Sequence, residues 1–222
     1  PAMTLGGLGA GLAVAWLAGL VTRLTGEPED ASFAVFYLIS LALGVLLISL
    51  RGSNADLLGV LFGSALSLDD PTLLLAAAVA TASLAGLALI YRPLLVECMD
   101  PGFLRLQGLG WWVHGLFLLL LVLNLVGGFH ALGTLMAVAF LILPAAAARL
   151  WWRSVAGQMA GAVAFAAAAS LAGLLLSYHQ GMPASPAIVL ACGALYGASL
   201  LGGRLHSLRV LAASRARAPA LP

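Results

Sequence analysis

The chain is built from uninterrupted apolar runs of about 20 residues that recur from one end to the other. Each run, wound as a helix, is long enough to cross a hydrocarbon core about 30 Å thick. Within lipid, every backbone polar group must be satisfied by a helix or by a closed barrel. Barrel strands alternate in polarity and these runs do not, so the pattern predicts an all-α, polytopic helical membrane protein. Composition decides one further point. Only 8% of the 222 residues are charged, against roughly 25% in an average soluble domain, which excludes a soluble fold.

Seven transmembrane spans are predicted, at approximately 3–22, 31–50, 72–91, 111–128, 133–148, 156–178 and 186–203. Asp70-Pro71 and Ser185-Pro186 each set a capping oxygen before a proline at the first helical position, where its missing N–H costs nothing. The fourth and fifth spans are separated by Gly127 to His130, read either as a tight hairpin turn or as part of a broken helix. Pro144 leaves the carbonyl of Phe140 without its usual partner and predicts a kink. Gly7, Gly11, Ala15 and Gly19 form a ridge of small residues, as do Gly157 with Gly161 and Gly193 with Gly197; such ridges let helix backbones approach closely.

All ten cationic residues are arginine, and the net charge of +2 leaves no basic surface suited to nucleic acid. Placement carries more information than the total. If the seven spans alternate, Arg23, Arg92, Arg105, Arg149, Arg153 and the four arginines after residue 203 share one side, with only Arg51 on the other. Cytoplasmic loops retain positive residues, so the tail at 203–222 is assigned to the cytoplasm and Pro1 to the exterior. The segment from Arg51 to Asp70, with a short amphipathic helix around Asp56 to Phe62, and the loop from His179 to Ser185 then face outward. The first run has no positive region before it and no cleavage site after it, and the chain is read as a fragment truncated at its N-terminus.

No Asp, Glu or Arg stands at mid-membrane depth, and His114 lies near the cytoplasmic end of its span. Ion-coupled carriers usually place an ionisable residue there. Neither a His-Glu-x-x-His pair nor a Gly-x-Ser-x-Gly turn is present, so the chain is not expected to be an enzyme or to bind a cofactor. Cys98 and Cys192 are far apart and suggest neither a thiolate metal site nor a disulfide framework. In the loop from Arg92 to Gly108, Asp100 can cap a helix, Pro101 can open it and Gly108 can end it, giving a two-turn cytoplasmic helix that offers Phe103 and Leu106. Such a helix either docks a partner or lies on the lipid headgroups. His130 and His179 fall at the outer ends of spans, where an imidazole can meet an entering cation or simply be solvated.

Four stretches, in order, resemble the membrane subunits of bacterial ABC importers for zinc, manganese and iron. Ala131 to Arg149 resembles the family's VGxLLVxALLIxPAATAR segment, and Asp56-Leu57 with Leu61-Phe62-Gly63 resembles DLxxxLFG. Asp100-Pro101 with Phe103 and Gly108 is similar to FDPEFARxxG, and Ser185 to Leu190 is similar to SGPAIVL. Met99, Gly102 and Leu104 depart from the third pattern, and the family's GDxLAHxxLxG segment, implicated in metal passage, has no counterpart and would lie before Pro1.

The resemblance implies a single permease domain over 1–222, working as a multi-pass homodimer in the bacterial inner membrane. Cytoplasmic ABC ATPase subunits would supply ATP hydrolysis, and a periplasmic or lipoprotein metal-binding protein would deliver Zn2+ or Mn2+ as cargo. It places ATPase coupling at Asp100, Pro101, Phe103, Leu106 and Gly108. His130 and His179 are the candidate metal contacts, and imidazole favours zinc over the more oxygen-seeking manganese. The alternative is a secondary metal or small-solute carrier without an ATPase.

Overall fold

A computed structural model describes residues 2–25, 29–50, 69–99 and 110–216. They form seven helices: α1 (Ala2–Thr25), α2 (Glu29–Leu50), α3 (Asp70–Met99), α4 (Gly110–Leu132), α5 (Thr134–Arg149), α6 (Val155–Gln180) and α7 (Ala184–Ala216). Each coincides with an expected span, with ends displaced by a few residues at most sites and by more where α3 and α7 run on past the expected limits. Five contain stretches long and apolar enough to cross a bilayer: Glu29–Ser49, Asp70–Cys98, Gly110–Leu132, Val155–Gln180 and Ala184–Gly202. The protein is a polytopic helical membrane protein. The amphipathic helix expected at Asp56 to Phe62 and the cytoplasmic helix expected at Asp100 to Gly108 lie outside the described residues.

Local chemistry sets the helix ends. Leu73 N–H donates to Asp69 O at 3.0 Å, so the α3 ladder starts one residue before the expected Asp70 and leaves Pro71 where it has no bond to lose. Ser154 caps α6, its side chain accepting from Gly157 N–H, and Gly181 closes that helix in the left-handed conformation at φ 63°. α3 continues through Pro93 and α5 through Pro144.

The chain divides into two compact units, Leu57–Ala137 and Pro1–Asp56 with Val138–Pro222. In the first, α3 packs on α4. A Cβ on Gly86 would lie 2.9 Å from Leu120 Cδ2, and one on Gly127 would lie 3.1 Å from Val79. These contacts, like those of Ser83 with Asn124 and Glu97 with His114, share nearly the same midpoint along the chain, within 100–109. That symmetry defines an antiparallel hairpin.

The chain reversal after α4 differs from expectation. Gly127 to His130 are helical, and the break is confined to Gly133, at φ 84°. Phe129 O accepts from Gly133 N–H at 3.2 Å and Gly133 O accepts from Ala137 N–H at 3.1 Å, so hydrogen bonding runs up to the glycine from both sides. A Cβ on Gly128 would lie 3.0 Å from that of Ala137, whereas nine residues of straight helix would separate them by about 13 Å. One left-handed glycine therefore folds the chain back, because it alone adopts that φ without a side-chain clash.

In the second unit α1 packs on α2, α2 on α7 and α6 on α7. α6 and α7 meet backbone to backbone: a Cβ on Gly173 would strike the Cα of Ile188. Ile39 fills the space beside Gly193, and Phe36 meets Tyr196 edge-on at 6.3 Å between ring centres. The other small-residue expectations are corrected, that for Gly197 included, since a Cβ there would meet nothing within 4 Å. Gly157 and Gly161 seat the indole of Trp152, which also meets Phe165 at 6.0 Å, and not a neighbouring backbone. On α1, Gly11 and Ala15 are exposed, and a Cβ on Gly11 or Gly19 would meet nothing within 4 Å. The buried residues described on α1 are instead Ala18 and Val21.

Candidate functional site

Of the residues singled out for function, Asp100, Pro101, Phe103, Leu106 and Gly108 lie outside the described residues. His130 is exposed in the last turn of α4. His179 is exposed in the last turn of α6, within 2.9 Å of Leu175 O through Nδ1, and stands edge-on to Tyr178. A carbonyl only accepts, so Nδ1 is the donor in this contact. Among the described residues, no three of His, Cys, Asp or Glu come together in a group able to hold a metal ion, so neither histidine belongs to a preformed ligand set there.

Two polar contacts cross the α3–α4 hairpin, and the sequence reading had paired neither. Asn124 Nδ2 donates to Ser83 Oγ at 2.7 Å and to Leu120 O at 2.8 Å. The Leu120 carbonyl can only accept, which fixes the amide with its nitrogen toward the helix and its oxygen outward. Asn124 lies about 5 Å from the middle of α4 along its axis, so this contact ties the hairpin within the hydrocarbon. Toward the 100–109 end, His114 Nδ1 lies 3.1 Å from Glu97 Oε1. The imidazole is largely exposed while the carboxylate is mostly covered, and Glu97 Oε2 is buried with no hydrogen-bond partner among the described residues. A legible signal for both contacts did exist. Residues equally distant from a hairpin connection face one another, and 97 with 114, like 83 with 124, are nearly so placed.

Trp111 and Trp112, 85% and 76% exposed, open α4 beside the same connection. With Ile90, Leu116 and Leu119 they line an open groove of about 560 Å³ whose side chains are all apolar. Paired tryptophans at a helix start suit the membrane–water boundary. Their position puts Glu97 and His114 within about one helical turn of that boundary.

The chain belongs to the ABC 3 transport family, whose model matches residues 2–202. It is 32% identical over 169 residues to the manganese import system permease protein ScaB of Streptococcus parasanguinis, covering 76% of this chain and 60% of that protein. Against ScaB of Streptococcus gordonii it is 31% identical, covering 80% and 65%. The manganese transport system membrane protein MntC of Listeria monocytogenes is 29% identical, with 84% and 67% covered. The chain thus spans less than two thirds of the length of both ScaB proteins. Among solved structures, PsaBC from Streptococcus pneumoniae in complex with Fab superposes with a TM-score of 0.58 at 27% identity, covering 85% of this chain and 68% of that one.

Proposed function

We propose that this chain is part of the membrane permease of an ATP-driven importer for a divalent transition metal, with manganese as the cargo. Family membership over residues 2–202 carries the reading, and the manganese permeases among its relatives favour that metal. ATP hydrolysis belongs to cytoplasmic ABC ATPase subunits that dock on Asp100 to Gly108, with Phe103 as the anchor and Leu106 beside it. A metal-binding protein outside the membrane delivers the ion to a homodimer, and the chain sits in the bacterial inner membrane with its C-terminus in the cytoplasm, as the arginine distribution supports. Zinc is the competing cargo, favoured by the exterior imidazoles of His130 and His179.

The test is uptake of radioactive manganese and zinc by cells that lack their own importers and carry the full-length permease with its ATPase. Manganese uptake that disappears when the ATPase is inactivated is the expected result. Uptake that survives ATPase loss but collapses with the proton gradient would establish a secondary carrier instead. Zinc uptake that falls when His130 and His179 are both changed to alanine would assign the cargo to zinc.

A further inference from the structure

We propose that Glu97 and His114 form a clasp that holds together the ends of α3 and α4 on either side of residues 100–109, and so couples ATPase docking there to the hairpin; this rests on the docking reading above. The two residues belong to different helices, two positions before and four positions after the ends that flank the connection. Their side chains meet at 3.1 Å, tying α3 to α4 at the last level before the chain leaves the hairpin. With Glu97 ionised, its oxygens only accept, so His114 holds its proton on Nδ1 and donates it. A charge-assisted hydrogen bond of this kind is stronger and more directional than a neutral one.

The rest of the hairpin explains why a clasp is needed at this level. Farther in, Asn124 bonds Ser83, and Gly86 and Gly127 admit Leu120 and Val79. Beyond Ile90 and Val113 the α3–α4 contact has no further buried apolar side chain among the described residues, and Trp111 and Trp112 turn outward. The ends of α3 and α4 are therefore joined by Glu97 with His114 beyond the last buried apolar side chain of their contact. Glu97 is a positioning residue: it acts by holding the ends of α3 and α4 together.

The experiment uses the full-length permease assembled with its ATPase in proteoliposomes, reading metal transported per ATP hydrolysed at equal amounts of assembled complex. His114→Phe should lower that ratio by about tenfold, the scale of one charge-assisted hydrogen bond. His114→Gln, whose amide can still donate to Glu97, should restore most of it, as should the exchange of Glu97→His with His114→Glu. Asn124→Leu cuts the tie within the membrane and should leave the ratio unchanged. A ratio unaffected by His114→Phe, or lowered equally by Asn124→Leu, overturns the clasp. Phe103→Ala separates the two proposals. If it abolishes ATPase recovery while His114→Phe leaves the ratio intact, the clasp fails and the docking reading stands. If Phe103→Ala retains the ATPase, the docking reading fails and takes the clasp with it.

Discussion

α3 and α7 invert the rule that the more apolar helix lies deeper. The best window of α3 has mean hydropathy 2.3 and is 6% buried within the protein, whereas that of α7 has 1.7 and is 56% buried. In water the hydrophobic effect drives the apolar helix inward, but lipid is as apolar as leucine and offers no such reward. What selects the interior is close fit. α7 brings Ala187, Val189, Cys192, Gly193 and Ser199 inside, small side chains that let α2 and α6 come near. α3 leaves Leu74, Leu84 and Leu89 exposed, side chains that acyl chains would accept.

The sharpest way to break this contrast is to add bulk where α6 meets α7. Gly173→Leu drives a branched side chain into the Ile188 backbone, which cannot move aside, and should cost more than about 3 kcal/mol. The yield of folded protein in detergent should collapse. Gly86→Ala, on α3, pushes only against the movable end of Leu120 and should be far milder in the same assay. Next in size is Ile188→Ala, which empties a site 4% exposed and should lower unfolding stability by about 2–5 kcal/mol. Asn124→Leu removes the amide tie of α4 to α3; hydrogen bonds between membrane helices are worth about 0.6–2 kcal/mol, and the midpoint of unfolding should fall accordingly. Smallest is Leu89→Ala, 80% exposed on α3, expected within about 0.5 kcal/mol of the parent protein. A large loss there would mean that the exposed face of α3 is covered by protein in the membrane.

The number, order and approximate extents of the seven described helices were legible because twenty apolar residues have few other uses. The start of α3 was legible from Asp70-Pro71, since proline at a helix start has a single physical meaning. Rotation about each axis was not. A helix apolar on every side carries no stripe to say which face turns inward, so the α1 ridge looked like the contact while Gly173, within another alanine- and glycine-rich run, proved to be one. The reversal at Gly133 was displaced for a related reason: the paired glycines at Gly127-Gly128 are the stronger sequence signal, yet α3 and α5 use them as room for Val79 and Ala137. Of the candidate site, the histidines could be placed at helix ends, but the partnership of His114 with Glu97 was legible only as their near-equal distance from the connection, a signal that needs α3 and α4 to be taken as a hairpin first.

The single-residue reversal at Gly133 also bears on how the molecule suits its bilayer. α5 has 16 residues and is about 24 Å long, shorter than a hydrocarbon slab of about 30 Å, whereas α3, with 30 residues, extends about 45 Å. A short helix facing lipid would pinch the membrane, and a long one would lean or swell it. Ala139, Leu143, Pro144, Ala147 and Ala148 are buried, so one side of α5 is screened from the acyl chains by protein. A change of bilayer thickness should therefore bear more on the long, largely exposed α3, which would answer it by tilting, than on the short and partly screened α5.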